Sequence, residues 1–263
     1  MCALLFLLAA TTEYTVRLPV LNSTLVLHAS QRTAGAIDSL KFRNKEFVAR
    51  EWQTAVSYDG FGDCLNPTEA GSSSQLLDAR VQNSTLATTV RMGYRLAPDE
   101  AYKAACGQHK DIHTAQNKVE LSDDTLLKRV TVGYRDIPNV LDYLITFNVG
   151  EPHQSAVIEA VTGYMPPEFS LWLTFDPATF QVAPLSGGPG EQPLPVILST
   201  KDRQYAVGVY SPAPNAGYGR SMKWSCVFRP SGAIKPGPLT YHCFIAIGTV
   251  EEIRAALANL IKG

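Results

Sequence analysis

The feature that most constrains the fold is a succession of short segments, from one end of the chain to the other, in which apolar and polar residues alternate. A period of two places the apolar side chains on one face of a β-strand. Gly, Pro, Asn and Asp separate the segments, as expected for turns, so the pattern is typical of an all-β sandwich or barrel. The predicted strands are residues 15–20, 24–28, 36–42, 46–48, 84–94, 118–121, 125–134, 141–149, 155–162, 170–175, 195–199, 205–210, 223–229 and 239–247.

The sequence also predicts the structure of two connections between these strands. The polar residues 122–124 are expected to turn between the strands 118–121 and 125–134. Residues 183–195, which are rich in Gly and Pro, are expected to form a long surface loop inside the same domain, because strand-like segments continue beyond them.

The C-terminus has a helical pattern instead. Thr249 and Glu252 have the spacing of a capping box, in which each side chain accepts a backbone N–H of the first turn. Apolar residues then recur on one helical face: Ile253, Leu257, Leu260 and Ile261. We therefore predict one C-terminal helix that packs against the sheet.

The N-terminus indicates export. Residues 1–10 are almost wholly apolar and too short to span a bilayer, as in the apolar core of a signal peptide, although a buried first strand is the alternative. Asn22 and Asn83 begin N-glycosylation sequons. We expect residues 1–12 to be a signal-peptide remnant, residues 13–263 to be one β-sandwich domain, and the protein to be a secreted or extracytoplasmic glycoprotein.

Four cysteines besides Cys2 agree with an oxidising compartment, because an even number permits two disulfides. Cys226 and Cys243 flank a turn-rich stretch and could face each other across a hairpin, in which case Cys64 and Cys106 would form the second bridge; the sequence leaves the connectivity open. Four unpaired, buried thiols are the alternative.

The charge balance argues against nucleic acid as a partner. Lys and Arg number 23 and Asp and Glu 24, which gives a formal net charge of −1. No long run of like charges interrupts this balance, so no basic surface is expected to attract a phosphate backbone.

The most polar early segment, residues 58–72, is the first candidate for a binding site. It combines carboxylates and an amide, which bind sugar hydroxyls, with aromatic rings and glycines that allow close backbone approach. An ordinary structured loop whose acids bind its own backbone is the alternative. No metal or other cofactor is expected. The exception considered is calcium, bound by the oxygen ligands Asp59, Asp63, Asn66 and Glu69.

Two further segments resemble a known family. Residues 35–48 (GAIDSLKFRNKEFV) resemble the opening hairpin of the galactose mutarotase-like, or aldose 1-epimerase-like, superfamily, and residues 198–212 resemble a late hairpin of its members. The resemblance implies a large antiparallel β-supersandwich whose sugar site is lined in part by residues 58–72. The family's motifs around its catalytic His and Glu are absent, so the resemblance implies carbohydrate as ligand without implying mutarotase chemistry.

We therefore predict a carbohydrate-active enzyme, a lyase, glycosidase or epimerase, that acts on an extracellular glycan or oligosaccharide. Glu69 or Asp63 is the expected acid or base, and His109 or His113 its partner, because a His near a carboxylate is a common acid–base arrangement. The residues expected to bind substrate are Tyr58, Asp59, Asn66, Tyr94, Arg95, His153 and His242.

Two other functions remain open at this point. A non-catalytic carbohydrate-binding protein on the same scaffold would use aromatic faces, with Tyr58, Phe61, Trp52 or Trp224 as candidates. A structural or adhesive β domain would have no small-molecule site.

Overall fold

The computed structural model describes residues 12–49, 74–94, 97–99, 117–153, 156–221 and 223–263. Within these residues the chain forms three antiparallel sheets and one C-terminal α-helix, which confirms the predicted all-β class. The strands are, in chain order, β1 (Glu13–Val20), β2 (Ser23–Ser30), β3 (Ile37–Phe42), β4 (Lys45–Glu46), β5 (Gln75–Gln82), β6 (Thr85–Gly93), β7 (Leu121–Tyr134), β8 (Ile137–Val149), β9 (Ile158–Tyr164), β10 (Phe169–Asp176), β11 (Gln181–Pro184), β12 (Gly190–Gln192), β13 (Val196–Thr200), β14 (Ala206–Tyr210), β15 (Gly217–Arg220), β16 (Lys223–Phe228) and β17 (Gly237–Gly248).

The largest sheet has nine strands in the order β11-β10-β13-β14-β17-β8-β7-β6-β5. Two four-stranded sheets, β1-β2-β3-β4 and β12-β15-β16-β9, contribute to the same apolar core as the large sheet. Every strand pair is antiparallel, so one face of each sheet is able to pack on the core while the other meets solvent.

Strand alternation decides which side chains enter this core. On β8, Tyr143, Ile145 and Phe147 are buried between the sheets, whereas Asp142 and Leu144 point to the opposite, outer face. The same period of two holds on the neighbouring strands of the large sheet. Its outer face therefore carries the polar and aromatic residues of the site described below.

The C-terminal helix α1 (Val250–Lys262) covers one end of that outer face. The predicted capping box is confirmed: the Thr249 N–H donates to Glu252 Oε2 at 2.8 Å, and the Glu252 N–H donates to Thr249 Oγ1 at 3.2 Å. Ile253 and Leu257 are wholly buried against the sheet. Gly208 of β14 permits this approach, because a Cβ there would lie 2.5 Å from Ile253 Cγ2. No helix among the described residues is long and apolar enough to cross a bilayer.

The turn predicted at residues 122–124 is wrong, because β7 runs without interruption through them. Ser122 and Asp124 point into the protein, where Asp124 Oδ1 accepts the Gly150 N–H at 2.7 Å. A run of polar residues predicts a turn, but here its side chains find partners inside a strand: Ser122 Oγ accepts the Asp124 N–H, and one oxygen of Asp124 accepts from Gly150. Residues 183–195 do not form one continuous loop as predicted, because β12 lies within them and pairs with β15.

The disulfide predicted between Cys226 and Cys243 is also corrected, because both are free, buried thiols in the structure. They do not face each other across a hairpin. Cys226 lies on β16 and Cys243 on β17, and these strands belong to different sheets. Burial, and then a hydrogen bond with Cys226, raise the pKa of the Cys243 thiol well above its usual value, which favours the unreactive thiol form. Cys64 and Cys106 lie outside the described residues.

Candidate functional site

Three of the predicted site residues lie in the described part of the chain, and they occur at two separate places. His242 lies on the outer face of the nine-stranded sheet, whereas Tyr94 and His153 lie together at the rim of the sandwich. The other predicted residues lie outside the described residues, and their roles stay predictions: Tyr58, Asp59, Asp63, Asn66, Glu69, Arg95, His109 and His113.

The first place is a His–Asp pair on the outer face. His242 Nε2 lies 2.6 Å from Asp142 Oδ1. The two residues lie diagonally across the β17–β8 ladder, where Phe244 is the register partner of Asp142 and Leu144 that of His242. Diagonal neighbours of an antiparallel pair are within reach of long side chains, so the register itself brings the imidazole to the carboxylate.

Aromatic rings surround this pair. The His242 ring centroid lies 4.3 Å from that of Phe244 and 6.2 Å from that of Tyr134, whose ring meets it edge-on. Tyr210 of β14 stacks on Phe244 with an interplanar angle of 14°. Burial raises the pKa of the Tyr210 hydroxyl, so this group stays a neutral hydrogen-bonding group.

The exposure of the pair permits proton exchange with a bound molecule. The His242 side chain is 34% exposed and that of Asp142 14% exposed. Asp142 occupies the Nε2 side of the imidazole, and the other ring nitrogen, Nδ1, makes no hydrogen bond with a described residue. A His held on one nitrogen by a carboxylate is able to take or give a proton at the other.

The second place, which we call the rim cluster, consists of Tyr94, Asp124, Glu151 and His153. The Tyr94 hydroxyl donates to Glu151 Oε1, and His153 Nε2 lies 3.6 Å from Asp124 Oδ2. Burial and the hydrogen bond to Glu151 raise the pKa of Tyr94 above its usual value, because both disfavour the phenolate. Asp124, Glu151 and His153 offer ligand atoms that all lie within 4.8 Å of one another.

The two places are separate sites. Asp142 belongs to the middle of β8, and the rim cluster follows the end of that strand at Val149. Seven residues of extended strand span roughly 24 Å. The structure therefore unites the predicted residues Tyr94 and His153 with each other and keeps His242 apart from them.

Sequence reasoning missed the acidic partner at each place. Asp142 is a polar residue inside an otherwise apolar strand, and Asp124 belongs to the polar residues 122–124, for which the sequence predicts a turn. The proposed stacking role of Trp224 is wrong, because its side chain is 6% exposed and belongs to the core. Gly163 makes room for it: a Cβ there would lie 2.2 Å from the indole ring.

No known protein family matches the chain by sequence, and no curated protein does. Solved structures similar to it include a putative aldose 1-epimerase from Escherichia coli K12, with 9% identity, a TM-score of 0.49, and coverage of 91% of this chain and 100% of that one. A galactose mutarotase related enzyme from Lactobacillus acidophilus has 9% identity, a TM-score of 0.45, and coverages of 90% and 98%. An alpha-mannosidase from Enterococcus faecalis has 11% identity and a TM-score of 0.47, over 88% of this chain and 30% of its own.

Proposed function

We propose that the protein binds a carbohydrate on the outer face of the nine-stranded sheet and transforms it by acid–base catalysis. The observation that carries this proposal is the part-exposed His242–Asp142 pair, 2.6 Å apart, inside a frame of aromatic rings. The proposal places the catalytic dyad at His242 and Asp142, and keeps the sugar as the ligand class.

The chemistry of the face suits a sugar. Sugars combine apolar C–H faces with a rim of hydroxyls, and the Tyr134 and Tyr210 rings offer partly exposed surfaces of matching character. Next to the dyad, Thr146 and Thr240 add a pair of hydroxyls 2.9 Å apart. The aromatic surface is able to pack against the C–H face of a pyranose, and the hydroxyl groups are able to hydrogen-bond its hydroxyls, next to the ionisable pair.

The dyad supports proton transfer more directly than two-carboxylate hydrolysis. Glycosidases use two carboxyl groups, about 5–5.5 Å or 6.5–9.5 Å apart. Among the described residues, Asp142 is the only carboxylate that pairs with His242. In the proposed step, His242 Nδ1 takes a proton from a sugar hydroxyl or C–H group, and Asp142 stabilises the imidazolium that forms. Epimerase or lyase chemistry follows most simply from this arrangement.

The test is a screen in which binding and turnover are measured on the same substrates. Free aldoses are followed by polarimetry for anomer exchange, and uronate polysaccharides by the absorbance of the unsaturated product. A glycan array measures binding alone. We expect turnover in one of the two assays. Binding without any turnover would favour the non-catalytic binding protein, and neither binding nor turnover would contradict the proposal.

We also propose that the protein acts outside the cytoplasm as a glycoprotein. Asn22 and Asn83 are exposed and lie in the turns of the β1–β2 and β5–β6 hairpins, where a glycan is accommodated without disturbing the core. When a eukaryotic host secretes the chain, we expect a mass decrease on treatment with an N-glycosidase. Asn22→Gln and Asn83→Gln should each remove one glycan; secreted protein without any glycan would contradict the proposal.

A further inference from the structure

We propose that the rim cluster binds a divalent transition-metal ion through Asp124, Glu151 and His153. Two carboxylates and one imidazole converge there. One ligand atom of each residue lies within 4.8 Å of the ligand atoms of the other two. This site is separate from the His242–Asp142 dyad and does not depend on it.

The strongest observation is the state of the Asp124 carboxylate. Asp124 is wholly buried, and its Oδ2 atom has no hydrogen-bond partner among the described residues. This oxygen lies 3.6 Å from His153 Nε2, so it points into the cluster. Burying an unpartnered carboxylate oxygen is unfavourable, and a coordinated cation removes that cost.

The charges of the cluster also favour a cation. Asp124 and Glu151 supply two carboxylates, and His153 supplies at most one positive charge. Arg91 is close in the fold, but it pairs with the exposed neighbour Asp123 at 2.8 Å. Within the described ranges, no Lys or Arg pairs with Asp124 or Glu151. A divalent ion would balance the two carboxylates while His153 stays neutral.

The ligands are held in place by contacts outside the proposed coordination sphere. The Gly150 N–H holds Asp124 Oδ1 at 2.7 Å, which leaves Oδ2 for the ion. The backbone of His153 pairs with Ile234 in both directions, at 3.0 and 2.8 Å. Gly150 allows the loop to approach β7, because a Cβ there would lie 2.5 Å from the Asp123 carbonyl oxygen. Supporting contacts of this kind orient the ligands of natural metal sites.

The ligand set selects the kind of ion. Imidazole with carboxylates suits zinc or manganese, whereas calcium prefers six to eight oxygen ligands. Ligand atoms about 2.1 Å from an ion are at most about 4.2 Å apart, so a small rotation of the half-buried Glu151 side chain closes the site. Three protein ligands would leave a coordination position for water, as in catalytic zinc sites.

The test uses the full chain after treatment with a chelator. Titration calorimetry with ZnCl2 and with MnCl2 is expected to show one ion per chain for at least one metal, and the ion should raise Tm by about 5 °C or more when saturating. Co²⁺ provides a spectroscopic measurement, because its visible absorption bands report imidazole and carboxylate coordination.

Three variants locate the ion. Asp124→Asn, Glu151→Gln and His153→Gln should each weaken binding at least tenfold, and His153→Gln should also shift the Co²⁺ bands. Asp123→Asn, the exposed acid beside Asp124, is the matched control and should bind like the wild type, as should His242→Ala. Circular dichroism of the metal-free variants checks their fold; if Asp124→Asn does not fold, the more exposed Glu151→Gln decides. A dissociation constant above 100 µM for both metals, or unchanged binding in the three variants, would overturn the proposal.

Discussion

Replacing His242 by alanine is expected to lower kcat/KM on the substrate found by the screen by about 10²–10⁴-fold, the usual contribution of a positioned general acid or base. The imidazole is the group of the dyad that presents a nitrogen, Nδ1, without a partner among the described residues. Alanine removes this proton acceptor and leaves the aromatic frame in place. Binding measured separately, by calorimetry, should change much less than turnover.

Asp142→Asn separates orientation from proton transfer. Asparagine fills the same space but loses the charge that stabilises an imidazolium, so we expect kcat to fall by about tenfold or more while KM changes little. The matched control is Asp136→Asn, the same substitution at an exposed acid in the turn between β7 and β8. It should keep turnover within about threefold. Full turnover by His242→Ala would show that the dyad is not catalytic.

Replacing Lys128 by methionine is expected to stabilise the protein at neutral pH by about 2 kcal/mol. Lys128 lies on β7 and lines a cavity of about 110 Å³ between the sheets, together with apolar residues such as Val90, Met92 and Leu126. Its amine donates to the Gly35 carbonyl at 2.8 Å. Burial lowers the pKa of this amine to about 8, although the Asp38 charge acts in the opposite direction.

The sign of the pH dependence follows from that pKa. Because the pKa in the folded state is below that of the unfolded chain, the unfolded state binds more protons between about pH 8 and 10.5. The wild type is therefore destabilised below pH 8, by up to about 3 kcal/mol, and recovers as the pH rises to 10.5. Methionine cannot titrate, and it forfeits about 1 kcal/mol with the lost hydrogen bond. Lys128 is only partly buried as a whole, so solvent reduces the full effect.

Urea unfolding of both proteins from pH 6 to pH 10 measures this difference. The advantage of Lys128→Met should be largest below pH 8 and should shrink or change sign by pH 10. Arg129→Met is the matched control, because Arg129 is the next residue of β7 but is exposed on the other face. Its stability should stay within about 0.5 kcal/mol of the wild type at every pH. An advantage of Lys128→Met that is constant with pH would show that the amine is fully solvated.

Local pattern was sufficient for much of the fold. The period of two in residues 141–149 matches the observed burial, and in residues 239–247 it places His242 on the face opposite Tyr241 and Cys243. It does not predict that Phe244 and Ala246, on the outer face, are buried under α1. It failed where a polar run had a distant partner. Residues 122–124 continue a strand, in which Asp124 Oδ1 accepts the N–H of Gly150, 26 positions away.

The candidate sites depended far more on distant contacts. Asp142 and His242 are 100 residues apart and meet only because β8 pairs with β17 in one register. A shift of one residue would turn one of the two side chains into the core. The positions of Cys226 and Cys243 also depend on distant strand pairing. Cys226 lies on β16, which pairs with β15, and Cys243 lies on β17, which pairs with β8, so the two cysteines belong to different sheets.

The sequence by itself determined the class of structure, since alternation and the Thr249–Glu252 capping box express interactions between residues close along the chain. Only the tertiary structure decided the chemistry of its surfaces. It joined His242 to Asp142 and Tyr94 to Glu151, and it enclosed the Asp124 carboxylate beside His153. The physical reason is that strand order and register arise from packing the whole core, whereas each local segment specifies only which of its faces is apolar.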